Sequence, residues 1–415
     1  MFSILKNAWK IPDLRKKILY TVLLLIVFRL GAHIPVPFAN PGALDYYLSG
    51  DNTLFGLANI MSGNALQQFT IFAMGITPYI NSSIIMQLLT VAIPALERMS
   101  KEGEEGKKKI AKLTRIVTIV LAFVQGAGLY MMVVSPDMQS ATTFFTVVLT
   151  LTAGTAFLMW LGEQINEKGV GNGISLIIFA GIISGAPSAI AGFIYGDTNW
   201  IIFALVVLVI LITIGFIVLM NNAERRIPVQ YAKRVVGRKM YGGQSTHVPI
   251  KVAMAGVMPI IFAVSIMAFP ATIAQMLGGA QSGFWAGVIR VFSPGSAWYS
   301  IIYFVLIILF TYFYTEIQFN PVEIANNMKN NGGFVPGLRP GKPTSDFIRM
   351  VLNRITLIGA VFIALIAVAP TLLSHFDSAF AFGGSSLIIV VGVAIETVKQ
   401  IESQMLMRHY KGFLE

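Results

Sequence analysis

Ten apolar segments long enough to cross a lipid bilayer run through this chain, at roughly 18–38, 68–93, 113–134, 142–162, 174–194, 200–220, 253–276, 298–319, 353–373 and 384–405. A helix needs about 20 predominantly apolar residues to cross the hydrocarbon layer. Every backbone group must find its partner inside that layer, so spans of this length predict helices. The hydrophobic share, 55% against 12% charged residues, is too high for the surface of a soluble globule. The expected fold is an all-α polytopic membrane protein.

The connections between the spans alternate in charge. Those at 1–17, 94–112, 163–173, 221–252, 320–352 and 406–415 carry nearly all the Lys and Arg, whereas the opposite set holds Arg290 with Asp45, Asp51, Asp137, Asp197 and Asp377. This bias predicts that the basic connections and both termini are cytoplasmic, and the net charge of +11 is mostly that topology signal. Arg15-Lys16-Lys17 ahead of an apolar run imitates a signal peptide, but Arg29 follows and no small-x-small cleavage site appears, so the first span is expected to be retained. Before it, FSILKNAWKI predicts an amphipathic helix on the inner membrane surface.

Ahead of the second span lies an apolar stub, roughly 54–61, broken by Ser62-Gly63-Asn64. At about 1.5 Å per residue it is far too short to cross. A second internal feature is a faint repeat. MGITPYINSSIIM (74–86) and AGVMPIIFAVSIM (255–267) share Gly, Pro and three further identities at an offset of 181 residues. They lie five spans apart, so copies of a five-span unit sit in the membrane with opposite orientations.

Inverted repeats and broken helices are common in secondary transporters, which hold ions or protons on charged groups near the bilayer midplane. Here Arg29, Glu163, Glu316, Glu396 and Lys399 fall towards span ends, and the span centres are Ile, Leu, Val, Phe, Gly, Ser and Thr. Such a path suits a seal that excludes water, with an uncoupled small-solute transporter as the alternative. The absence of cysteine excludes disulfides and thiolate chemistry, and four scattered histidines suggest no metal site. GVGNGIS (169–175) lacks the strand and the glycine spacing of a nucleotide-binding loop. No catalytic constellation or cofactor is expected.

Two basic connections are longer than topology requires. The first contains Arg225, Arg226, Lys233, Arg234, Arg238 and Lys239; the second presents Arg339 between Gly337-Leu338 and Pro340-Gly341. Pro and Gly fix turns there, and a rigid tip bearing one Arg suits docking to an acidic protein or an RNA phosphate backbone.

GITPYINSSIIMQLL, QYAKR, QSTHVPIKVAMAGVMPIIFA, FVPGLRPGKPT and the SGNAL of the stub resemble, in order and across essentially the whole chain, the SecY/Sec61-alpha family of protein-translocase channel subunits. The resemblance implies an hourglass pore between two inverted five-helix halves, 1–195 and 196–415, and a lateral gate between the second and seventh spans. It implies that the stub, about 54–64 with Leu57, Ile60, Met61, Ser62, Gly63 and Asn64, is a plug. Asn64 stands where the family often has glycine, and Asn tolerates left-handed backbone. By motif the pore ring maps onto Ile76, Ile80, Ile174, Ile178, Ile261 and Ile389, with Ile84 and Ile182 continuing the same stripes. A polar gate cluster maps onto Asn81, Gln87 and Gln125. The partners implied are SecE and SecG, the motor ATPase SecA, the ribosome with its RNA, signal-bearing preproteins and membrane lipids, in a bacterial inner membrane.

Overall fold

The computed structural model describes residues 2–38, 59–134, 136–195, 200–231, 234–236, 239–241, 245–276, 284–293, 296–373 and 384–411. It opens with α1 (Phe2–Lys10) and α2 (Pro12–Gly31), followed by α3 (Thr77–Ala92), α4 (Pro94–Lys101), α5 (Glu104–Val133), α6 (Ala141–Lys168), α7 (Gly173–Tyr195) and α8 (Trp200–Asn222). Strands β1 (Glu224–Tyr231), β2 (Arg234–Val236), β3 (Lys239–Tyr241) and β4 (Ser245–Lys251) come next. After them come α9 (Met258–Met276), α10 (Phe284–Phe292), α11 (Ala297–Gln318), α12 (Pro321–Asn330), β5 (Gly333–Phe334), α13 (Lys342–Leu373) and α14 (Gly384–Lys411). Each apolar segment of the sequence thus holds a long helix.

Among the described residues, five helices are by themselves long and apolar enough to span a membrane. The pair α3 and α4, bent by 100°, reaches that length only if the two are counted as one. The bend follows from Ile93, whose extended backbone (φ −108°, ψ 113°) precedes Pro94. Helix α4 buries none of its residues, and Lys101 donates to Glu97 at 2.6 Å, which holds that carboxyl below its ordinary range. Helix α8 shows why the solvent is lipid. Leu208, Leu211 and Leu219 are each more than half exposed on a helix with no charged residue, a face that water does not tolerate.

The first five long helices pack on one another, α2 against α6 and α7, α3 against α5, and α5 against α6. In the second set α9 packs on α11, α11 on α13, and α14 on α8 and α13. The principal contacts between the sets are α3 and α5 with α9 on one side and α7 with α14 on the other. Helix α1 also crosses over: its Ala8, with Leu14 of α2, shares a small apolar cluster with Val170 and Ile401. It therefore leans on α14 as well as presenting exposed Lys6, Trp9 and Lys10.

The second span is shorter than the apolar pattern predicts. Residues 63–76 form turns, and the helix begins only at Thr77. Gly75 (φ +57°) reverses the chain and Pro78 occupies the first helical turn, where a missing N–H costs nothing. Position 256 repeats the device: Gly256 has φ +61°, Pro259 lies three residues on, and the helix begins at Met258. Both helix starts keep the 181-residue offset of the repeat. A Cβ at Gly256 meets no atom within 4 Å, so the position tests backbone alone. Gly256→Ala is expected to lower stability by about 1–2 kcal/mol, the cost of left-handed backbone for an L side chain. Gly215→Ala in α8, also free of contacts, is expected to be neutral or mildly stabilising. Unfolding of the purified protein in detergent checks both.

The turns at 63–76 satisfy their own backbone, as non-helical chain at membrane depth must. Val36 N–H donates to the Phe69 carbonyl at 3.0 Å and Ile71 N–H to the Ile34 carbonyl at 2.9 Å, while Thr70, Ala73 and Gly75 bond back to Ala65, Thr70 and Phe72. Phe69, Thr70 and Phe72 are buried.

The two long basic connections differ most from the helical expectation. They join in one three-stranded antiparallel sheet of order β4-β1-β5, with Arg225 opposite Ile250, Ile227 opposite Val248 and Gln230 opposite both Ser245 and Phe334. Along β1, Ile227 and Val229 face inward while Arg226, Pro228 and Gln230 face out, the period-two alternation of a half-buried strand. Pro228 is tolerated because β5 pairs only with residues 230 and 231, which leaves β1 open on that side. Ile227, Val229, Ile250, Met328, Val335, Ile348 and Leu352 form a core of their own beneath the sheet.

Candidate pore constriction, stub and gate

The six isoleucines of the candidate ring come from the start of α3, from α7, α9 and α14, and all join the central apolar cluster. Ile76, Ile80, Ile178, Ile261 and Ile389 are buried to 5% exposure or less. Ile174 is the exception. It occupies the first turn of α7, is partly exposed, and lies beside Gly162 of α6. Ile84, one turn further along α3, is as buried as Ile80 and Ile182 borders the same cluster, so burial does not separate the turns by depth.

Of the stub, residues 59–62 are helical, while Leu57 and the rest of 54–58 lie outside the described residues. Asn59 organises the turn after the stub. Its carbonyl accepts from Asn64 N–H (2.9 Å) and Ser62 Oγ (3.0 Å), and its side-chain oxygen accepts from Gln67 N–H (3.0 Å). Gly63 and Asn64 both take left-handed backbone, φ +68° and +67°, so Asn64 adopts the conformation for which its side chain is suited. Met61 packs against the central cluster that holds the isoleucines.

At the gate, α3 packs directly on α9, and α5 touches both. Asn81 is buried and Gln87 and Gln125 are half-buried, yet no hydrogen bond joins the three. Gln87 Nε2 donates to Ser83 on its own helix (3.2 Å), and its Oε1 is buried without a partner among the described residues. The bond that ties α3 to α5 is from fully buried Ser82 Oγ to the Thr114 carbonyl, 2.7 Å. Sequence reasoning missed Ser82, although a serine on the inner face of a span is the ordinary material of interhelical bonds.

The SecY family model matches residues 70–398. The chain belongs to the SecY family. It is 47% identical to the protein translocase subunit SecY of Streptomyces galbus over 100% of both chains. Its fold is similar to a solved SecY protein whose plug domain is described as stabilising the closed state of the translocation channel and maintaining a membrane seal (TM-score 0.67, 18% identity, 94% of this chain and 92% of that one). It is also similar to Sec61 in the canine ribosome-channel complex (TM-score 0.64, 17% identity, 94% and 92%).

In this SecY-family chain the described candidate docking residues lie on the sheet, on the hairpin and on a separate tip. Arg225 and Arg226 are exposed on β1, with Arg226 Nε 2.7 Å from Glu224 Oε1. Arg234 and Lys239 lie on the paired strands β2 and β3, whereas Lys233 and Arg238 lie outside the described residues. Arg339 is exposed on a fixed tip. Gly337 and Gly341 flank it with φ +84° and +101°, and buried Thr344 donates its hydroxyl to the Arg339 carbonyl at 2.8 Å. Only the guanidinium is left free to reach outward.

Proposed function

We propose that this chain is the channel subunit of a protein translocase, a passive gated pore that carries unfolded secretory polypeptides outward and releases apolar segments sideways into lipid. One observation carries the reading: isoleucines from four helices meet in a buried cluster against which the stub's Met61 is packed. Branched apolar side chains at one depth close by van der Waals contact and shed water when the path is empty. The halves are 1–195 and 196–415, which meet through α7 against α14 on one side and through α3 against α9, the lateral gate, on the other. The positive-inside bias supports a cytoplasmic side for both termini and the sheet, and the bacterial relatives support a bacterial inner membrane for the spans.

The chain itself hydrolyses nothing, so the drive comes from partners on the basic face: the motor ATPase SecA, or a translating ribosome with RNA phosphates against the exposed arginines. SecE clamping the halves and SecG alongside complete the complex. Related Sec61 is described in a ribosome-channel complex, which supports the ribosome as a partner. The decisive experiment is reconstitution in vesicles with SecE, SecG and SecA. A signal-bearing preprotein is expected to become protected from added protease only when ATP is supplied. Uptake of a defined small solute by the chain without a motor would favour the transporter alternative, which the relatives do not support.

Arg339→Glu reverses a charge on a tip whose backbone is held independently by Thr344. Motor-driven translocation is expected to fall about tenfold or more while stability stays within about 0.5 kcal/mol. Arg226→Glu, on the strand, is expected to cost less. Equal losses at both positions would reduce the tip to a topology charge.

A further inference from the structure

Arg29 stands in the last turn of α2, where a cation suits the negative end of the helix dipole. A long cationic side chain at a span end ordinarily reaches for the headgroup layer. Here Nη1 donates instead to the carbonyl of Gly63, at 2.8 Å, and the side chain is half-buried. Among the described residues no carboxylate lies within 4 Å of it. The acceptor belongs to the residue at which the chain leaves the stub's last helical turn.

The far side of that turn is shaped to match. Gly181 of α7 has no side chain where the Met61 carbonyl approaches, and a Cβ there collides with it. Ser184, whose Oγ donates to the Gly181 carbonyl at 2.7 Å, closes the seat so tightly that a Cβ at Gly63 would come within 2.6 Å of that oxygen. The turn is therefore bracketed by α2 and α7, two helices that also pack on each other. Its internal bonds through Asn59 hold residues 59–67 together as one body. Of the bonds from this body to its surroundings, the Arg29 bond is the charge-assisted one, roughly twice as strong as a neutral hydrogen bond.

We infer that Arg29 is a positioning residue that latches the stub in its seated place. The inference rests on the reading of the stub as a plug. The latch is reversible because a guanidinium at a span end that loses the Gly63 carbonyl can turn to headgroups or water. Gly63 is fixed on two counts, by its positive φ and by the seat, whereas Arg29 is fixed by the bond alone.

The test measures resting ion conductance of the reconstituted complex in Arg29→Gln and Arg29→Lys, each in the intact channel and in one lacking residues 54–64. Arg29→Gln is expected to raise conductance about tenfold in the intact channel, the population change that loss of a charged hydrogen bond brings. Arg29→Lys, which keeps the charge and a donor, is expected to raise it less. Neither is expected to add leak once the stub is gone. If Arg29→Gln conducts like the parent while the deletion leaks, the plug stands and the latch falls. Added leak of equal size in both backgrounds also overturns the latch, because Arg29 then acts elsewhere. A deletion that leaks no more than the parent overturns the plug reading and the latch with it. Should Arg29→Gln fail to accumulate in the membrane, Arg29→Lys in the two backgrounds gives the same comparison.

Discussion

Deleting residues 54–64 is expected to raise the resting ion conductance of the reconstituted channel by tenfold or more while the arrangement of spans survives. The magnitude comes from a seated population: if the stub is favoured in its place by about 1.4 kcal/mol or more, its removal opens a path that was closed at least nine-tenths of the time. The survival of the fold rests on where the neighbouring chain is anchored. Val36–Phe69 and Ile71–Ile34 backbone bonds pin the turns at 69–71 to the end of α2, and both lie outside the deleted stretch. Thr77 and Pro78 still start α3 from the same place. Single-channel recording in planar bilayers measures the first effect, and protease accessibility of the basic connections checks the second. Parent and deletion with equal resting conductance would leave the stub as a packing element only.

The features legible in the sequence divide from the hidden ones along physical lines. Local signals read in part: the Gly-x-x-Pro stretches at 75–78 and 256–259 and the aptitude of Asn64 for left-handed backbone are written in a few adjacent residues, but the apolar pattern put both stretches inside spans rather than at helix starts. Apolar length placed a helix in every expected span, but it overstated the second, because residues 68–76 are as apolar as a helix and yet fold into buried turns that pair with residues 34–36. That partner lies more than thirty residues away, and hydropathy carries no record of it. The sheet was hidden for a related reason. Arg225, Arg226 and their neighbours dominate the composition of 221–252, and the alternation of Ile227 and Val229 with exposed residues is too brief to stand out until β4 and β5 arrive to pair with it. At the candidate site, the isoleucines were proposed from the family resemblance, motif by motif, whereas Arg29, Gly181 and Ser184 were unreadable as a seat because the seat exists only once α2, α7 and the stub meet.

Ile389→Asn is expected to hydrate the constriction and raise resting leak, with preproteins bearing poor signal sequences passing more readily. Ile389 is 2% exposed within the central cluster, and placing a carboxamide in such surroundings without partners costs about 1–3 kcal/mol in protein mutational terms. That cost falls on the closed, dry state, where the ring is packed. The open or hydrated state supplies water to the amide and is spared, so the equilibrium shifts towards opening by about ten- to a hundredfold. Ile389→Leu separates size from polarity: it is nearly volume-conserving and is expected to change neither leak nor signal stringency. Depth is tested on α3, where Ile80 and Ile84 are equally buried and share one face. Ile84→Asn is expected to disturb packing but to leak less than Ile80→Asn, because the ring as proposed sits on the turn nearest Gly75, where the stub's Ser62 comes within ordinary contact of a Cβ built on that glycine. Conductance and translocation of a signal-defective preprotein, measured on all four variants, decide the matter. A larger leak from Ile84→Asn than from Ile80→Asn would move the ring one turn along α3, and Ile174, already at the margin of the cluster in the first turn of α7, would yield its place to Ile182.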